Sequence, residues 1–268
     1  MIVAVPRMCL IGLDWKPEES PSLMLAANRD EFYERPSRPA QYWEDDPHIY
    51  GGKDLLQGGS WMCCSTTARC AAVTNFFAKE DRGKKYPKSR GNIVTDFVGA
   101  KVSSEEFARD VLEPAKTEYG GFSAFLFDGK SLVYCSNRDS EQFWRKLSPG
   151  TYGLSNHLLD TPWPKVQKIK AIVAQSRNEK EPERLARQLL MELENEERVE
   201  ERSQLPSTLT KEEEFLRSAI SVKSEYYGTR TSTVVTFAPG EGFHFTEKNH
   251  ETVSNPLSSF SHEFVAIK

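Results

Sequence analysis

No stretch of the 268 residues approaches the roughly 18 consecutive apolar residues that a membrane helix needs. The sequence also has no CxxC pair and no HExxH, so nothing in it has zinc-site spacing and no metal site is expected. A cationic footprint is missing too. Its 35 Lys and Arg stand against 39 Asp and Glu, and the formal charge of -4 is spread along the chain, which excludes a broad nucleic-acid surface. Cysteine is sparse and odd in number. Cys9, Cys63, Cys64, Cys70 and Cys135 make no disulfide framework, and reduced thiols in a reducing compartment are the simplest reading. Residues 1–7 carry one basic residue and no long apolar region, which is neither a secretory signal nor a transit peptide. No internal repeat is present. What remains is 38% apolar and 28% charged, the balance of a soluble chain that buries one sizeable core.

Along the chain, short apolar runs at residues 9–15 and 23–27 predict two strands, separated by the turn-rich Lys16-Pro17-Glu18-Glu19-Ser20-Pro21. Residues 35–54, rich in Pro and acids, read as an ordered surface loop. Strands are expected at 61–65 and 71–76, the second placing Asn75 near its tip. Ser103-x-x-Glu106 is a capping box, followed by Phe107, Val111 and Leu112 at helical spacing. Asp128-Gly129-Lys130 and Pro239-Gly240 each sit between apolar runs and predict hairpins. Residues 165–222 are charged and mostly helical by pattern, with an interruption at 204–208 and a solvated run at 195–202. Alternation at 262–267 closes a sheet. This order of elements predicts an α+β fold rather than an alternating parallel one.

Several blocks carry a resemblance. They are Met8-Cys9-Leu10-Ile11, Leu25-Ala26-Ala27-Asn28-Arg29-Asp30-Glu31-Phe32-Tyr33 with Arg35-Pro36, Gly58-Gly59-Ser60-Trp61 and Ala72-Val73-Thr74-Asn75. Further along come Ser89-Arg90-Gly91, Tyr152-Gly153-Leu154-Ser155-Asn156, Thr161-Pro162-Trp163-Pro164-Lys165 and Tyr227-Gly228-Thr229-Arg230-Thr231-Ser232-Thr233. In this order they resemble the NRDE family, also called the transport and Golgi organisation 2 family. That family is more distantly similar to cysteine N-terminal-nucleophile (Ntn) hydrolases, which cleave linear amides. The resemblance implies an αββα sandwich, two mainly antiparallel sheets flanked by helices, formed by one domain over residues 9–268 after an extension at 1–8. It also implies Cys9 as nucleophile, Asp30 as the acid that holds it, Asn75 in an oxyanion hole, Asn156 as a second polar group and Arg230 as positioning cation. Ala27 stands where those enzymes usually carry Arg. Arg29, two positions on and on the same strand face, is the expected substitute, and with Asn28 it is assigned to ligand binding.

The chemistry those roles require is concrete. The attacking species is a thiolate, and an ordinary thiol has a pKa of about 8.5. A free α-amine on the same cysteine, with a pKa near about 8, serves as its base. One oxyanion donor from Asn75 is worth about 3 kcal/mol in the transition state. As written, Cys9 follows eight residues and has no free amine. Translation from Met8 with loss of that methionine, or excision of residues 1–8, would expose it; otherwise the site is catalytically inert.

Plainer readings stand beside each role. Cys9 also reads as a small buried hydrophobe, and Asn28 and Asp30 as partners of buried backbone groups. Arg230 reads equally as an ion-pair partner of Asp30 or Glu31, and Asn156 as a turn residue. The resemblance implies a cytoplasmic protein of haem and lipid homeostasis, with mitochondrial and Golgi links, that mobilises haem from storage or synthesis sites. Its partner is then a small amphiphile, haem or an acyl-CoA or other lipid; haem is cargo, and no cofactor is required. The alternative is a thiol amidohydrolase or acyltransferase acting on acyl-amides or acyl-thioesters.

Overall fold

The computed structural model describes residues 9–76, 81, 83–198, 218–251 and 258–268. The extension at 1–8 and the interruption at 204–208 lie outside these residues. Six strands form the first sheet: β1 (Cys9–Trp15), β2 (Leu23–Phe32), β10 (Gly150–Leu154), β11 (Tyr227–Ala238), β12 (Gly242–Asn249) and β13 (Ser259–Ala266). Their order is β10-β1-β2-β11-β12-β13. Seven form the second: β3 (Ser37–Tyr42), β4 (Ile49–Asp54), β5 (Met62–Ser65), β6 (Cys70–Asn75), β7 (Phe122–Phe127), β8 (Leu132–Ser136) and β9 (Trp144–Lys146), in chain order. Every named pairing is antiparallel.

Strand alternation divides the apolar residues between layers. On β2, Leu23, Leu25 and Ala27 face the second sheet, where they meet Phe125, Phe127 and Tyr134. Met24 and Ala26 face the other way, onto helices α3 (Pro164–Ser176) and α4 (Pro182–Leu193). Helix α4 lays Leu185, Leu189, Leu190 and Leu193 on that face, each worth about 1.5–3 kcal/mol when fully buried. Beyond the second sheet, α1 (Arg90–Gly99) and α2 (Ser104–Glu106), which runs into a π-helical turn (Phe107–Leu112), close a third apolar layer. The result is the expected αββα sandwich.

The expected hairpins are β7–β8 and β11–β12, and Ser103 caps α2 with Glu106 reciprocating. Residues 35–54 correct the loop reading, because they contribute β3 and β4. Pro39 lies on an edge strand, where a missing N–H can face away from the ladder. Gly52 on β4 leaves room for the Trp61 ring, which a Cβ there would meet at 2.2 Å.

Candidate functional site

At one end of the inter-sheet space, β1, β2, β4 and β6 open onto a cleft of about 380 Å³ lined by Cys9, Arg29, Asp30, Trp61, Asn75 and Phe76, among others. Cys9 pairs with Arg29, and Arg29 with Thr231, in a cross-strand row. By the alternation of β1 and β2, Cys9 and Arg29 face the second sheet, while Asn28 and Asp30 face the helices.

Asn156 ties the two sheets together here. It follows β10 with φ +52°, a left-handed conformation that Asn tolerates better than most residues. Its Oδ1 accepts the Cys9 backbone N–H at 2.6 Å, and its Nδ2 donates to the Asn75 carbonyl at 2.9 Å. It is thus a turn residue that also holds the Cys9 nitrogen against the end of β6. Beside it, His157 stacks on Phe76 at 4.8 Å and shares a 2.8 Å hydrogen bond with Thr161. Burial lowers the imidazole's pKa, keeping it neutral.

The Cys9 thiol is held protonated. Burial, then the negative charge of Asp30, push its pKa up to about 12, against a hydrogen bond from the Asp30 main chain. Asp30 itself is pushed up to about 6 by burial, with Lys165 and the Thr229 hydroxyl opposing. Thr229 Oγ1 donates to Asp30 Oδ1 at 2.6 Å.

Arg29 forms the cationic wall. Its guanidinium lies 4.3 Å above the Trp61 ring, and Nη2 reaches Asp54 at 3.4 Å. Arg35 takes the same Asp54 oxygen at 2.6 Å. Arg29 Nη1 is buried and has no hydrogen-bond partner among the described residues.

The structure therefore brings Cys9, Arg29, Asp30, Asn75 and Asn156 together. Asn28 and Arg230 are not among the residues lining the cleft, although Arg230 donates to the carbonyl of Arg35, which is. The Asn28 amide donates to the Leu193 and Ile220 carbonyls at 2.8 and 3.0 Å and accepts from Ser232 at 2.6 Å. It ties β2 and β11 to the last residue of α4 and to Ile220 beyond it. Arg230 occupies a register shift in β11 and donates through Nη1 to the Phe32 and Arg35 carbonyls, supporting the end of β2. Sequence reasoning missed Asp54, Arg35 and Thr229 at the site. Thr229 and Arg35 lie within recognised blocks, but a partner 199 positions away has no local signal.

The profile of the family described as Transport and Golgi organisation 2 matches residues 8–252. The chain belongs to this family. The Transport and Golgi organization protein 2 homologs of Bos taurus and Homo sapiens are each 34% identical to it over 265 residues, covering 90% of this chain and 93% of each relative. The Drosophila melanogaster protein is 28% identical over 248 residues, covering 84% of this chain and 85% of its own. Among solved structures, a mutant of conjugated bile acid hydrolase from Clostridium perfringens aligns with 96% of this chain and 94% of its own, at 10% identity and a TM-score of 0.45. At that score the layer order rests on this family member's own sheets. Among the described residues, no helix is long and apolar enough to cross a membrane.

Proposed function

We propose that the Cys9 cleft carries an anionic amphiphile, with haem as the leading cargo, in intracellular haem and lipid homeostasis with a link to Golgi organisation. The observation that supports this most is Arg29: a buried guanidinium lining the cleft, with one Nη lacking a hydrogen bond among the described residues and an indole ring beneath it. Such a fork accepts a carboxylate, and Trp61, Phe76 and Val73 offer apolar surface beside it. A thiol with a pKa of about 12 is protonated at neutral pH and a poor iron ligand. Haem would therefore be held by its carboxylates and its flat face, a grip that suits cargo passed on. An acyl-CoA or another lipid anion satisfies the same chemistry.

Titration of haem, followed by its visible absorption, tests the reading. Wild type should bind saturably, and Arg29→Met should weaken binding about tenfold or more, the loss of a charge-assisted hydrogen bond. Cys9→Ser should leave the bound spectrum unchanged. Absence of saturable binding, or an Arg29→Met protein that binds as wild type, refutes it.

The amidohydrolase alternative is favoured by one contact, the 2.6 Å hydrogen bond from the Cys9 nitrogen to Asn156. If that nitrogen were a free amine, Asn156 would hold the base beside its own thiol. Mass spectrometry of the N-terminus, with an electrophilic acyl probe, decides between the two.

A further inference from the structure

Lys165 is 0% exposed and lies in the first turn of α3. Both facts work against a cation. Burial strips the ammonium of water, and the N-terminal end of a helix repels positive charge. The first turn of α3 contains no acidic residue to offset this. The compensating anion must come from another element. Helix α3 packs on β1, β2 and β10. On β2, the helix-facing side chain near the cleft is Asp30, itself 1% exposed. Its Oδ1 is taken by Thr229, while Oδ2 is buried with no hydrogen-bond partner among the described residues.

We propose that Lys165 is a positioning residue of the Cys9 site: the buried counter-charge that keeps Asp30 ionised and oriented beneath the thiol. Two buried charges on facing elements stabilise each other, and each would be costly alone. The other charges that reach Asp30 are Arg29, which also favours its ionised form, and Glu31, which opposes it. Of the charged groups acting on Asp30, Lys165 has the largest influence. The pair then acts on Cys9 at one remove. The ionised Asp30 is the largest charge effect raising the Cys9 thiol pKa, while the Asp30 main chain hydrogen-bonds the sulfur. Lys165 thus reaches the thiol only through the carboxylate it holds in place, whichever ligand the cleft takes.

The test is carboxyl-carbon NMR of Asp30 across pH, the signal being assigned by its loss in Asp30→Asn. In wild type the midpoint should lie at about 6. In Lys165→Met it should rise by about one pH unit or more. Lys165→Arg should restore the wild-type midpoint. An unchanged Asp30 midpoint in Lys165→Met overturns the proposal. Should that variant fail to fold, wild type decides: the Lys165 side-chain nitrogen resonance must move at the Asp30 midpoint, and a resonance that stays still overturns it too.

Discussion

Glu247 is a carboxylate with no route to water. It sits on β12 facing the second sheet, 0% exposed, and its Oε1 accepts from the Ala40 N–H at 2.7 Å and from Asn249 at 3.0 Å. Burial pushes its pKa up to about 7 from 4.5, although Ala40, Asn249, Arg29 and Thr233 all favour the ionised form. The folded protein therefore binds this proton more tightly than the unfolded chain. The stability it contributes is fully present below about pH 4.5 and is lost as pH rises through 7. The full swing is on the order of 3 kcal/mol. Glu247→Gln removes the titrating charge while keeping an amide oxygen for the Ala40 N–H. Its melting temperature should exceed that of wild type by several degrees at pH 8, and the advantage should vanish near pH 5. Equal melting curves at pH 8 would show that the carboxylate is better solvated than its burial implies. Nothing in the sequence marks Glu247, which directly follows the second apolar run of the Pro239-Gly240 hairpin. Asp30 and Cys9 were legible because they sit in family blocks. Lys165 sat in one too, but only the burial of both partners shows what it faces.

At the scale of elements, legibility followed the strength of local signals. The β11–β12 hairpin has a Pro-Gly turn, and α2 has a capping box, so both could be read in place. β3 and β4 could not, because Pro39 and the paired glycines of β4 carry loop chemistry. Their strand pairing comes from their neighbours, not from their own sequence. The alternation along β2 was visible through Ala27, and extending it places Arg29 and Asp30 on opposite faces. Arg29 thus serves the cleft, and Asp30 the layer beneath α3. Helix α3 reaches the first sheet because Gly12 and Gly153 lie opposite each other on β1 and β10. A Cβ on Gly12 would meet Ile169 at 2.6 Å and Val173 at 2.8 Å; one on Gly153 would meet Val166 at 2.7 Å. Gly12→Val should therefore lift α3 and cost about 1–3 kcal/mol, the usual penalty of overpacking. Urea unfolding should show the loss as a lower midpoint. An unchanged midpoint would mean that α3 slides without penalty.

For the molecule as a whole, two sheets packed through Leu25, Phe125, Phe127 and Phe237 leave polar residues for one end. There the apolar seam gives way to Arg29, Asp54, Asn75 and Asn156, and Asn156 pins β1 to β6 across the opening. The site residues come from β1, β2, β4, β6 and the turn after β10, so no single segment of sequence contains the cleft. The family blocks give its members but not its shape, and they include Asn28 and Arg230, whose hydrogen bonds brace β2 beside it. The most direct test of the cleft as the ligand site is nuclear magnetic resonance of isotope-labelled protein with ferric haem added below stoichiometry. Paramagnetic iron broadens nearby amide signals first. Signals of Cys9, Trp61, Asn75 and Phe76 should broaden before those of Leu185 and Leu189, which lie on the far face of the first sheet. Broadening that starts on α4, or that leaves the Cys9 neighbourhood sharp while haem is bound, would contradict the account.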